Sequence, residues 1–316
     1  MTRPIIIDCD PGQDDAVALL LAFACPEALE VLGVTAVAGN VPLALTQRNA
    51  RIITELAGHT NLPVAAGCER PLALDPITAE NVHGSTGIDG MDVREPAHPL
   101  HPRHAVDFLI ETLMAAAERP VTLVCTGPLT NIAMAMVKTP AILDHIEEIV
   151  LMGGAMREGG NVTPSAEFNI RVDPHAADVV LGCGRPISVF GIDVTHQVLA
   201  TPDRIESIRR LDTRVARDVA GMLSFFNRYD TVKYGSAGAP LHDPCTIAFL
   251  LEPSLFAMKD CNIAVETGSE LTLGHTAVDF WRVTERPRNA TWACDVDADA
   301  FFALLFDRLA RYGERA

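Results

Sequence analysis

Short β-rich runs alternate with helix-patterned segments along most of the chain, and no other feature restricts the fold as much. The runs at 5–7, 31–37, 121–125, 149–152 and 187–190 are separated by stretches of helical periodicity at 14–24, 44–57, 103–117, 129–137, 174–181 and 203–229. Runs that are apolar almost throughout suit strands buried on both faces. Their alternation with helices suits crossover units around a parallel sheet. Several helical stretches open beside Pro, Asp or Thr, as helix starts should. In the C-terminal third the texture changes: 261–265, 278–283 and 290–294 read as strands before a last helix at 297–311. The expected fold is α/β, an open and mainly parallel central sheet of the Rossmann-like kind covered by helices, with small extra strands near the C-terminus. With 316 residues, 48% of them apolar, and no internal repeat or linker, 1–316 reads as one domain.

The first run leads directly into Asp8-Cys9-Asp10-Pro11-Gly12-Gln13-Asp14-Asp15, four carboxylates within eight residues. Carboxyl ends of parallel strands are where such sheets bind ligands. Anions so close repel one another unless a cation neutralises them, and a hard divalent metal does so through oxygen ligands. Calcium takes about 6 to 8 oxygens, so the loop needs partners from elsewhere in the chain. Asp14 and Asp15 alone could simply favour a helix N-terminus, which leaves Asp8 and Asp10 unexplained. An EF-hand starting at Asp8 would require Gly and Glu where the chain has Gln13 and Leu19. An aspartate-nucleophile phosphohydrolase would also place Asp-x-Asp after its first strand. It would want cations around the transferring phosphoryl group, and the only lysines are Lys138, Lys233 and Lys259. That reading stays as an alternative.

Charge narrows the partners. With 25 basic against 41 acidic residues the formal charge is −16, the opposite of a nucleic-acid or anionic-membrane binder. The longest apolar stretch, 16–25, is about half of what a bilayer span needs, and the start of the chain at Met1 lacks a basic segment followed by a signal-type apolar region. The eight cysteines are scattered without a Cys-x-x-Cys pair and read as buried thiols, so a reducing, cytoplasmic location is expected. His98, His101 and His104 have an even spacing, but prolines interrupt them and no second metal is expected there. Trp281 and Trp292 read as part of a packed C-terminal hairpin.

Taken together, the acidic loop, Gly127-Pro128-Leu129-Thr130-Asn131, Met152-Gly153-Gly154-Ala155, Ala166-Glu167-Phe168-Asn169 and His242-Asp243-Pro244 resemble the nucleoside hydrolase family, in the family's order across most of the chain. The resemblance implies hydrolysis of the N-glycosidic bond of ribonucleosides by water held on calcium; the non-catalytic alternative is a calcium-dependent nucleoside or ribose sensor using the same loop. It implies Asp10, Asp15 and Asp243 as side-chain ligands, with the Thr126 carbonyl completing the protein set, and Asp10 as general base. Asp14, Asn40, Asn161, Glu167 and Asn169 match positions that hold the ribose. The matching Phe168 would lie near the nucleobase. A small-molecule ribonucleoside is the expected partner, and a homo-oligomer, dimer or tetramer, the expected assembly, in purine or pyrimidine salvage.

The base pocket is read from His83, His242, Tyr229 and Tyr234. His242 adjoins Asp243, and in the family the matching His contacts or protonates the leaving base. A His beside an Asp could otherwise be structural. His83 lies before a Gly-rich loop, 84–90, that reads as mobile and able to close over substrate. Tyr229 and Tyr234 read equally as base contacts or as core aromatics at a helix end. The pattern resembles the pyrimidine-preferring and inosine-uridine members more than the purine-specific ones, although the charged ends of Asp230-Thr231-Val232-Lys233 match neither subgroup.

Overall fold

In the first strand, β1 (Arg3–Cys9), successive side chains leave on opposite faces: Ile5, Ile7 and Cys9 enter one apolar core, and Ile6 enters the other. That two-sided burial organises the computed structural model, which describes residues 2–116 and 118–313. Met1, Ala117 and 314–316 lie outside the described residues, and with Ala117 goes the end of the helix expected at 103–117.

The remaining strands are β2 (Leu29–Ala36), β3 (Val64–Ala66), β4 (Val121–Cys125), β5 (Ile146–Met152), β6 (Ile187–Phe190), β7 (Leu199–Ala200), β8 (Ala239–Pro240), β9 (Phe256–Cys261), β10 (Ile263–Val265), β11 (Thr276–Val278) and β12 (Ala290–Val296). Eight of them form one sheet in the order β3-β2-β1-β4-β5-β6-β12-β9. Every pairing in it is parallel except β12 with β9. The helices are α1 (Gln13–Phe23), α2 (Leu43–Leu56), α3 (Glu80–His83), α4 (Ala105–Ala115), α5 (Thr130–Lys138), α6 (Phe168–Val172), α7 (Pro174–Leu181), α8 (Ile192–Thr195), α9 (Pro202–Arg209), α10 (Arg214–Tyr234), α11 (Pro244–Leu251) and α12 (Ala298–Ala310).

One face of the sheet is covered by α1, α2, α10, α11 and α12, the other by α4, α5 and α7. Helix α1 is buried along its whole length because α2, α10, α11 and α12 surround it, which accounts for the unbroken apolar stretch at 16–25. No helix among the described residues is long and apolar enough to cross a membrane. Five of the eight cysteines are buried.

Four expectations for the C-terminal half need correction. The helix expected at 203–229 is two helices, α9 and α10, because Asp212 turns left-handed at φ 51° and the Thr213 side chain accepts from Ala216 N to start a new helix. The strand expected at 261–265 breaks at Asn262 into β9 and β10, where Asn289 bonds Ile263 through both its backbone groups. The run at 278–283 is no strand beyond Val278: the Asp279 carboxylate accepts from the Val283 and Thr284 amides and closes a turn. The two tryptophans also part company. Trp292 is fully buried in β12 while Trp281 is 75% exposed, so they do not form a packed hairpin.

Candidate active site

Strand β1 lies between β2 and β4, and the chain runs outward from it in both directions. A crevice therefore opens beyond the carboxyl ends of β1 and β4, the topological switch point where open α/β sheets bind ligands. Asp8 and Asp10 leave β1 there, Thr126 leaves β4, Gly153 leaves β5 and Gly191 leaves β6. The crevice widens into a cavity of about 580 Å³.

Beneath its floor, Asp8 Oδ1 accepts from Thr35 Oγ1 at 2.5 Å and Asn131 Nδ2 at 2.8 Å. Asp10 Oδ2 accepts from Asn40 N at 2.7 Å. The Asp10 carboxylate sits between Gly39 and Gly127, and a methyl group on either glycine would collide with it, which is the physical content of Gly127 in the quoted motif. Asp15 Oδ1 accepts from Thr126 Oγ1 at 2.8 Å, and its Oδ2 from Gly12 N at 3.0 Å and Asn40 Nδ2 at 3.2 Å. Asp243 joins from the start of α11, so that Asp14, Asp15 and Asp243 bring carboxylate oxygens within 4.8 Å of one another.

These carboxylates are buried and crowded. Burial and the charge of Asp15 push Asp14 up to about 7, and burial raises Asp8 to about 7. Asp10 and Asp243 are driven well above the usual carboxylate range, first by burial and then by their neighbours' charges. Asp8 Oδ2, Asp10 Oδ1 and Asp14 Oδ1 have no hydrogen-bond partner despite being buried. Unpaired buried oxygens on Asp10 and Asp14, beside the close-set carboxylates of Asp14, Asp15 and Asp243, fit a divalent cation. The donor set is all oxygen, which matches a hard ion rather than zinc or copper.

The cavity walls contain Asp14, Asn40, His83, Thr126, Asn161, Glu167, Phe168, Asn169, Tyr229, Tyr234, His242 and Asp243. Of the residues anticipated from the sequence, only Asp10 and Asp15 are not on its surface; both are fully buried behind it. Asn169 Nδ2 donates to the carbonyls of Thr126 at 2.8 Å and Met152 at 3.2 Å. Glu167 caps α6, with Oε1 accepting from Asn169 N and Oε2 from Gly154 N, both at 2.9 Å. Burial raises Glu167 to about 7. Asn161 Oδ1 accepts from Phe168 N at 3.0 Å. Because α6 starts at Phe168, the triplet 167–169 is not extended, and Phe168 reaches the cavity together with its two neighbours.

Also at the cavity, His83 Nδ1 is 2.8 Å from Gln13 Oε1, while Gln13 Nε2 donates to the His83 and Asp89 carbonyls. That orients the amide with its oxygen toward the ring, so the His83 proton is on Nδ1 and Nε2 is an acceptor. Burial lowers the His83 pKa to about 3 and keeps the ring neutral. His83 stacks on Phe226 at 5.4 Å. In the loop at 84–90, Asn49 Nδ2 donates to Thr86 O at 2.7 Å, the Asp89 carboxylate accepts from the Ser85 and Thr86 amides, and Ile88 is fully buried. Tyr229 and Tyr234 are cavity residues rather than core aromatics, and Lys233 Nζ donates to Tyr229 Oη at 2.6 Å. His242 Nδ1 is 2.7 Å from Thr195 Oγ1; burial, then His196 and His83, push its pKa well below the usual histidine value.

Sequence reasoning passed over Glu158, Asp193, Thr195 and His196. His196 lies 5.7 Å from His242 ring to ring and pairs with Glu158 at 3.6 Å, and both line the cavity. Asp193 accepts from the Met156 and Arg157 amides at 2.7 and 2.6 Å and ties their loop to α8. The signal was present. Asp193, Thr195 and His196 follow β6 and Glu158 follows β5, as Asp10 to Asp15 follow β1, and the same strand-end rule applies to all three.

The fold and this site define a class: an open α/β protein with a buried carboxylate cluster at the switch point that could bind a metal ion, and a cavity beside it. The sequence pattern of the inosine-uridine preferring nucleoside hydrolases matches residues 5–303, and the chain belongs to that family, whose members are hydrolases acting on N-glycosyl bonds. It is 50% identical over 313 residues to the pyrimidine-specific ribonucleoside hydrolase RihA of Photobacterium profundum, covering 99% of this chain and 100% of that one. Among solved structures it is similar to a purine-preferring ribonucleoside hydrolase from Gardnerella vaginalis, with a TM-score of 0.91, 33% identity and coverage of 99% and 100%. It is also similar to a plant nucleoside hydrolase, PpNRh1, with a TM-score of 0.92, 32% identity and coverage of 98% and 99%.

Proposed function

We propose that this hydrolase uses calcium and acts on ribonucleosides with a preference for pyrimidine or inosine-uridine substrates, releasing ribose and free base. The observation that carries the reading is the buried carboxylate cluster with unpartnered oxygens at a cavity whose lining also offers amides, imidazoles and phenols among apolar side chains. Asp10, Asp15, Asp243 and the Thr126 carbonyl would hold the ion, and Asp14 brings a carboxylate oxygen within 4.8 Å of those of Asp15 and Asp243. Bound there, calcium supplies charge neutralisation and a water of lowered pKa.

The protein does the rest. Asp10 takes the proton of the attacking water at its free Oδ1. Asp14, Asn40, Asn161, Glu167 and Asn169 bind the ribose hydroxyls and orient the anomeric carbon; a site built to pair hydroxyls rejects sugars that lack them. Carboxylates on the ribose side favour the positive charge that develops as the N-glycosidic bond stretches. His83, Phe168, Tyr229 and Tyr234 enclose the base, and His242 meets it as it departs. Among the described residues no Lys or Arg lines the cavity, which argues against a phosphorylated substrate. Family resemblance supports a dimer or tetramer working in nucleoside salvage in the cytoplasm.

The test is kcat/KM for ribose release from uridine, cytidine, inosine and adenosine with calcium supplied. The reading expects uridine, cytidine or inosine to lead; adenosine as the best substrate would refute the preference.

A further inference from the structure

Helix α8 is four residues long, yet its side chains organise one wall of the cavity. Ile192 lines it, Asp193 fixes the 156–158 loop, and Thr195 reaches His242. Thr195 is fully buried, and its hydroxyl has one hydrogen-bond partner among the described residues, Nδ1 of His242 at 2.7 Å. A hydroxyl carries a single proton and needs an acceptor for it when buried. If the imidazole held its proton on Nδ1, the hydroxyl would accept and its own proton would be stranded. With Nδ1 unprotonated, the hydroxyl donates and both groups are satisfied. The ring proton is then on Nε2, which has no hydrogen-bond partner among the described residues, and His242 borders the cavity.

We propose that Thr195 is a positioning residue: its hydroxyl donates to Nδ1 of His242 and keeps the ring as an Nε2–H donor turned toward the leaving base. This rests on the reading that His242 serves the leaving base. The donor stabilises negative charge that builds on the base as its bond to ribose breaks, and no proton need be transferred for it to act. It also gives His242 and His83 opposite polarity, since His83 holds its proton on Nδ1 and offers Nε2 as an acceptor. A base bound between them meets one donor and one acceptor.

Two measurements test this on the calcium-supplied protein. Heteronuclear NMR of isotope-labelled histidine, with His242 assigned by the signal lost in His242→Ala, reports which ring nitrogen carries the proton. The Nε2–H form is expected in the wild type, and the preference should weaken in the near-isosteric Thr195→Val. An Nδ1–H form in the wild type overturns the proposal whatever His242 does in turnover. In kinetics, Thr195→Val should lower kcat on uridine roughly 10- to 100-fold with KM within about twofold. It should lose much less on p-nitrophenyl riboside, whose leaving group needs little help, and Thr195→Ser should recover most of the uridine rate. Equal loss on both substrates, or none on uridine, overturns the positioning role. Equal loss in His242→Ala instead removes His242 from the leaving group, a failure distinct from a wrong tautomer.

Discussion

The side-chain amide of Asn169 donates to the backbone carbonyl of Thr126 at 2.8 Å, joining a proposed ribose contact to a proposed ligand of the cation. Its nitrogen is also shared with the Met152 carbonyl, so the amide oxygen is the part left for substrate. Asn169→Ala should therefore damage kcat and KM together. Asn169→Asp should do more: a carboxylate would face two carbonyl oxygens in a buried site and should lower folding stability by at least about 2 kcal/mol. Thermal denaturation beside steady-state kinetics checks both. A change in stability alone for the alanine variant would make Asn169 a structural residue.

Asp10 and Asp14 offer a sharp comparison, because both have an unpaired buried oxygen but only Asp14 reaches the cavity surface. With Asp10 as base, Asp10→Asn should lower kcat by about 10²-fold or more, through the lost base and the weakened negative charge on the ion. Asp14→Asn should raise KM as well, through the ribose. Near-normal kcat for Asp10→Asn, with collapse in Asp14→Asn, would move the base to Asp14.

The fit of Asp10 between Gly39 and Gly127 predicts that a single methyl group disturbs the ion site. Gly127→Ala would displace the carboxylate and should weaken calcium binding at least about tenfold. Calorimetric titration measures it, and a melting temperature close to wild type would separate the effect from unfolding. Unchanged affinity would mean that Asp10 is not needed to hold the ion.

Asp8, Asp14 and Glu167 are each raised to about 7 by burial. Between their ordinary values and about 7 the folded chain binds more protons than the unfolded one, so stability must fall as pH rises through that window. Each such group contributes up to roughly 1.4 kcal/mol per pH unit. Chelator-treated protein should thus melt at a lower temperature at about pH 8 than at about pH 5, and calcium should reduce the difference by favouring the ionised carboxylates. A melting temperature that rises over this range without metal would contradict the burial argument.

Much of this architecture was legible because local and global signals agreed. Runs such as 5–7 and 121–125 are apolar at every position, and only strands buried on both faces need that. The acidic loop was legible because four carboxylates cannot share a dry site without a purpose. What failed to show depends on single side chains acting at a distance. The break at Asp212, the turn closed by Asp279 and the bend at Asn262 rest on one backbone angle or a few hydrogen bonds, which periodicity does not register. Glu158 and His196 are apart in sequence and meet only because Asp193 ties their two segments together. The hydrogen bonds that Gln13 and Asn49 make to the loop at 84–90 come from helices distant in sequence, and glycine content does not show them.

The most direct test is ribose release from uridine by chelator-treated protein before and after calcium is added back, with bound metal measured in the same samples. The account predicts no turnover without the ion and full recovery when each chain has bound one calcium. Turnover that persists in metal-free protein, or its absence in protein that has bound calcium, would contradict the claim that the carboxylate centre at the switch point is where this hydrolase works.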